Sequence, residues 1–317
     1  MKHQTERVGR MAMLAVIAGL ATCAFSAPQR TSRQPPPNPG EMENIPNAWP
    51  KLTDAQQQAA IEALKQSAQD AQTRLNRPLQ SFETKYFLFC SDLSPRESRQ
   101  WASLLDRMYA RLAEMFAVPS GLNIWRGKAL IFVFSRRDDY QRYERMIART
   151  DPGSTAGMCH AFGDGTVRIA FYRQEDTLSF AHVLVHESVH GFIHRYRTPV
   201  FVPSWANEGL AETIATDLVP QAGRRDQVKS AARENLQQHG GMGDFFTADH
   251  IQGWQYPVAE MLTTFMIQAG KGNYVAFIKG IKDGMSWDQS LAERFQAPAD
   301  RLVPVFGNWL GVRNLQP

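Results

Sequence analysis

The chain has 317 residues, 43% apolar and 21% charged, a balance that builds a globular core and excludes a disordered or fibrous protein. Its net charge is +4, and Lys2, Arg7, Arg10 and Glu6 account for +2 of that within residues 1–26. The small charge left over, spread without a dense basic run, excludes a nucleic-acid surface of the usual electrostatic kind.

Residues 1–26 read as an export signal. A positive start is followed by an apolar run from Met11 to Phe25, and Ala24-Phe25-Ser26 before Ala27 has the form a signal peptidase accepts. The run is about 15 residues, short of the ~20 that span a bilayer. The expectation is therefore a cleaved signal, a periplasmic or secreted protein, and no stable membrane insertion afterwards. Leu20-Ala21-Thr22-Cys23 resembles a lipidation box, but Thr22 stands where a smaller residue is usual, so a tether through Cys23 is the weaker alternative. Past the signal, Cys90 and Cys159 remain. They either pair in an oxidising compartment or serve as small buried hydrophobes.

Residues 27–50 form a Pro-rich linker around Pro35-Pro36-Pro37. Within 51–80 an N-terminal helix is expected from Asp54, as N-cap, to about Leu75, ending near Pro78. A short aromatic strand follows at 85–90. Ser94-Pro95 then opens a helix over 96–116, where Trp101, Leu104, Leu105, Met108, Leu112 and Met115 recur at helical spacing. A continuous apolar run at 128–134 marks a buried strand. Residues 138–147 read as a helix, and the turn Gly163-Asp164-Gly165 leads into a strand at 166–172. Beyond 172 the pattern is helical, over 177–197, 204–218, 225–238, 256–269, 273–282 and 287–295. The expected fold class is α+β: a small mixed sheet with an active-site helix within 81–200, then a mostly helical half over 201–317.

His186-Glu187-Ser188-Val189-His190 is H-E-x-x-H. On a helix, positions four apart share a face, so both imidazoles can reach one ion, while Glu187 can take a proton from a water beside it. His182 and His194 continue the four-residue spacing. Each such step overshoots a turn by about 40°, so all four histidines cannot share one ion, and the outer two are read as packing or hydrogen-bonding neighbours. Ile193 and Tyr196 stand where a metzincin needs Gly and His, which excludes that class. The next helix carries Ser204-Trp205-Ala206-Asn207-Glu208-Gly209-Leu210-Ala211-Glu212, with Glu208 18 residues after His190. His186, His190 and Glu208 make a three-ligand set with a fourth position open, as a catalytic Zn2+ requires. Glu212, one turn on, either holds the free nitrogen of a ligating histidine or is an ordinary helix charge.

Together, segments 184–192 and 203–212, H-E-x-x-H followed by W-x-x-E-G-x-A-E, resemble the gluzincin metallopeptidases of the peptidase MA-like family, including secreted MA-like domains of unknown function. The resemblance implies a zincin-like catalytic domain, a peptide or protein substrate, and hydrolysis with Glu187 as general base. It also implies an oxyanion donor beyond the third ligand, for which Tyr256 is the first candidate and His250 the second. An edge strand above the motif helix would bind extended peptide, with 157–161 or 166–171 able to serve and His160 as a possible substrate-side group. The Gly-Ala-Met-Glu-Asn type of segment found in aminopeptidases is absent, which argues against that activity. Two alternatives stay open from sequence: an interaction module on the same scaffold without peptidase activity, and an amidase acting on a cell-envelope substrate.

Overall fold

The computed structural model describes residues 47–119 and 121–317, so the expected export signal, Cys23 and the linker up to Pro46 lie outside the described residues. Helix α1 (Asp54–Leu75) starts one residue earlier than expected, with Thr53 rather than Asp54 as its N-cap. Thr53 Oγ1 accepts from the Gln56 N–H, and Gln56 Oε1 accepts from the Thr53 N–H, so two helix-end donors are satisfied at once.

Five strands follow: β1 (Gln80–Glu83), β2 (Phe87–Ser91), β3 (Ala129–Phe134), β4 (Gly157–Ala161) and β5 (Val167–Tyr172). Their order in the sheet is β1-β2-β3-β5-β4, with β2, β3 and β5 parallel and the outer pairings antiparallel. The inner strands are apolar throughout because helices cover both faces. Phe87, Phe89, Ile131, Val133, Ile169 and Phe171 face α2 (Pro95–Met115) and α4 (Thr177–Arg195). Their alternates Leu88, Cys90, Leu130, Phe132 and Ala170 face α1 and α3 (Arg137–Tyr143), which runs on into a π-helical turn over Glu144–Ala148.

This layering rules out a Cys90–Cys159 disulfide. Both thiols are free and buried. They sit on β2 and β4, three strand spacings or roughly 14 Å apart, and on opposite faces of the sheet, far beyond disulfide reach. They are the small buried hydrophobes of the other reading.

The rest is helical: α5 (Ser204–Leu218), α6 (Arg224–His239), α7 (Tyr256–Lys282), α8 (Trp287–Phe295) and α9 (Ala299–Leu310). The two helices expected over 256–282 meet at a kink within α7, where Gly270 leaves helical geometry. Trp205 anchors α5 by packing against Phe245, Phe277 and Trp287 at centroid distances of 5.9, 5.8 and 5.8 Å. The fold is thus α+β, a small mixed sheet followed by a helical half. Among the described residues no helix is long and apolar enough to cross a membrane.

Candidate metal centre

Helix α4 is capped by Asp176, whose carboxylate accepts from the Ser179 N–H at 2.7 Å, and is buried from Phe180 to Ile193. A helix sunk this deeply needs a close approach somewhere, and Gly191 supplies it. A Cβ there would stand 2.8 Å from Val167 Cγ1 of β5. Gly209 does the same for α5: a Cβ would strike Thr263 Oγ1 and the Ala259 carbonyl of α7. The two glycines set α4 on the sheet and α5 on α7 at backbone distance, and so place the polar side chains between them.

His186, His190 and Glu208 converge there. The Nε2 atoms of the two histidines are 3.0 Å apart, and Glu208 Oε2 lies 3.2 Å from His186 Nε2 and 3.5 Å from His190 Nε2. Ligands held at ~2.0–2.1 Å around a tetrahedral ion are spaced by about 3.3 Å, so the triangle has the size a bound cation requires. All three side chains are buried, and Glu208 Oε2 has no hydrogen-bond partner. Burial pushes the Glu208 carboxyl up, but the adjacent imidazoles outweigh it and bring it to about 2. This buried group can hold a metal ion, with two nitrogen donors and one oxygen.

Glu187 is 6% exposed and accepts a hydrogen bond at Oε2 from the Cys159 N–H of β4 at 3.1 Å. Burial raises its carboxyl pKa above the usual range, against the pull of His186 and His190. β4 is an edge strand of the sheet, so of the two segments considered for that place 157–161 occupies it. Segment 166–171 belongs to β5, which is enclosed between β3 and β4.

Glu212 sits behind His186, its Oε1 3.2 Å from His186 Nδ1, and its other oxygen meets His182 Nε2 at 2.9 Å. His182 is therefore a hydrogen-bonding neighbour, as expected. His182, His186 and Glu212 form a second cluster of metal-binding type. Arg224, at the start of α6, already supplies it with a cation: Nη2 lies 3.1 Å from both His182 Nε2 and Glu212 Oε2. Its Nε donates to Thr216 Oγ1 at 3.1 Å, and Thr216 donates to Glu260 Oε1 at 2.8 Å.

Tyr256 opens α7 at 8% exposure with its ring in the main core, and His250 is exposed in the loop before it. His160 is not a substrate-side group. It points to the far face of the sheet, where its Nε2 meets the buried Glu144 at 2.9 Å. His194 binds the Phe162 carbonyl at 3.1 Å through Nε2. At that end of α4 the segment before α1 is bound: the Trp49 indole N–H donates to His194 O at 3.1 Å, its backbone N–H donates to Arg197 O at 3.0 Å, and Arg195 lies 4.5 Å over its ring. Arg224, Asn207 and Lys282 are neighbours of the site that sequence reasoning missed, since none stands at a spacing that marks it.

No protein-family model matches this chain, and no curated protein matches it.

Proposed function

We propose that the protein is an exported zinc-dependent metallopeptidase of the gluzincin type. The observation that carries this reading is the buried triangle of His186, His190 and Glu208 with Glu187 beside it. The donor set favours zinc, for which two imidazoles and one carboxylate leave the fourth position open. Bound there, zinc would polarise the scissile carbonyl and make a water easier to deprotonate. Glu187 takes the proton of the attacking water and passes it to the nitrogen that leaves as the C–N bond breaks. Its raised pKa suits both halves of that exchange. The β4 amide holds the carboxylate in place, and Glu212 orients His186. Tyr256 is assigned the donor to the oxygen that gains charge.

Metal content and turnover together test the reading. The purified protein should hold about one zinc per chain, and Glu208→Ala should lose it. Glu187→Gln should keep the metal while peptide-library turnover disappears; a parent chain without zinc, or a Glu187→Gln variant that still cleaves, would sink the proposal. Tyr256→Phe should lower kcat by roughly ten- to a hundredfold with KM little changed, and an unaltered kcat removes Tyr256 from the chemistry.

A further inference from the structure

Beside His190, at the carboxyl end of α4, a cleft of about 260 Å³ including its open mouth runs between the metal centre and Lys282, with Phe201 at its rim. The space in it that the centre of a water-sized group can reach is only about 20 Å³. That size suits a small polar head rather than a ring or a branched side chain.

Two groups lining it lack the partners their chemistry calls for. Lys282 is 1% exposed, and its Nζ donates only to carbonyls, to Val200 O at 2.7 Å and more weakly to His194 O at 3.5 Å. The carboxylate next in sequence, Asp283, is turned away and held by Arg197 through bonds of 2.6 and 2.8 Å. Among the described residues no carboxylate lies within ion-pair reach of Lys282. Burial, then the nearby Arg195, draws its ammonium down to about 7, a cost that an arriving anion would relieve. Asn207, directly before Glu208, is 7% exposed, and its buried Oδ1 has no hydrogen-bond partner. A carboxamide can turn its NH₂ instead of its oxygen toward a guest.

We infer that this cleft is a subsite for a substrate carboxylate, received by Lys282 and Asn207 one residue from the bond cleaved. The inference rests on the peptidase reading and gives it a substrate class: peptides bearing an acidic side chain or a free carboxyl end next to the scissile bond. A buried ammonium with no counter-ion and a buried carboxamide with an unpartnered oxygen in one small cleft are an anion site in the making, and a hydrogen bond to a charged group is among the stronger ones available.

The test is equilibrium binding by calorimetry, with the full chain carrying Glu187→Gln so that nothing is turned over. Three acetylated dipeptides serve as probes: alanyl-glutamate amide, alanyl-glutamine with a free carboxyl end, and alanyl-glutamine amide, which has no carboxylate. One of the first two should bind roughly ten- to a hundredfold tighter than the third, and which one does so identifies the source of the carboxylate. Lys282→Met should abolish the preference. Asn207→Asp, which keeps size and shape, should weaken the acidic probe and leave the neutral one unchanged. Equal affinities, no binding of any probe, or a preference that survives both substitutions would overturn the inference. Zinc content read on the same samples keeps the two ideas apart: a chain without zinc that still prefers the acidic probe sinks the peptidase and leaves the anion site standing.

Discussion

His186 belongs to two buried clusters of the same residue types, and they differ by one cation. In the first, His186, His190 and Glu208 meet with no basic side chain among them. In the second, His186, His182 and Glu212 meet around Arg224. Ligand types and spacing are nearly equal, so they do not decide which cluster takes a metal. Charge does: a guanidinium within 3.1 Å already neutralises Glu212, and a second cation would have to displace it. The second cluster is better described as the support of the first, holding His186 from behind.

That contrast can be broken at several points. The largest effect should come from Gly209→Ala, whose added methyl has no room against Thr263 and the Ala259 backbone. α5 must move to accommodate it, carrying Glu208 and Glu212 together. The expected cost is about 3 kcal/mol, read from urea midpoints, with zinc content falling as well. Unchanged stability would mean that the contact between α5 and α7 is looser than described.

Arg224→Met should weaken zinc binding by about ten- to a hundredfold in competition with a chromophoric chelator, because Glu212 then loses the cation that fixes it. It should not create a second equivalent, since His186 has one nitrogen committed to each side. A second bound zinc in this variant would show that Arg224 alone separates the two clusters.

Glu260→Gln should disturb the metal centre least, and its effect should show in the pH dependence of stability. Burial, reinforced by the charge of Glu212, raises the Glu260 carboxyl from 4.5 to about 8. A raised acid favours the folded state below its unfolded pKa and loses that contribution as pH rises through the folded one. Wild-type stability should therefore decline between about pH 4.5 and 8, and the glutamine variant should lack that decline. At about pH 9 the variant should be more stable by several kcal/mol, about 1.4 for each pH unit of that interval, with the difference vanishing near pH 4. A constant difference across that range would place the effect in packing rather than in the proton.

Much of the centre was legible because helical spacing is a local property. The four-residue step from His186 to His190, and a second helix bearing Glu208 and Glu212, needed only periodicity to be seen. The inner strands were equally plain as apolar runs. What could not be read depends on tertiary partners. Arg224 lies in a polar helix start with nothing to mark it. His160 adjoins a strand residue that touches Glu187, yet the two-residue alternation of β4 sends its own ring to the other face. β1 is largely exposed and lacks an apolar pattern. α9 carries Pro304 in its interior, which reads as a break although the helix passes through it with Leu302, Val303, Phe306 and Leu310 buried. The cysteines gave no distance until the sheet order was known.

Trp49 brings one further consequence, concerning the order in which the molecule is made. Its partners, the carbonyls of His194 and Arg197, are about 145 residues downstream. A chain synthesised from its amino end exposes this indole long before those carbonyls exist, so the contact can close only after α4 has formed. Local helices have no such wait. Quenching or shifting of the Trp49 fluorescence during folding would thus mark when the carboxyl end of the helix carrying His186 and His190 is pinned.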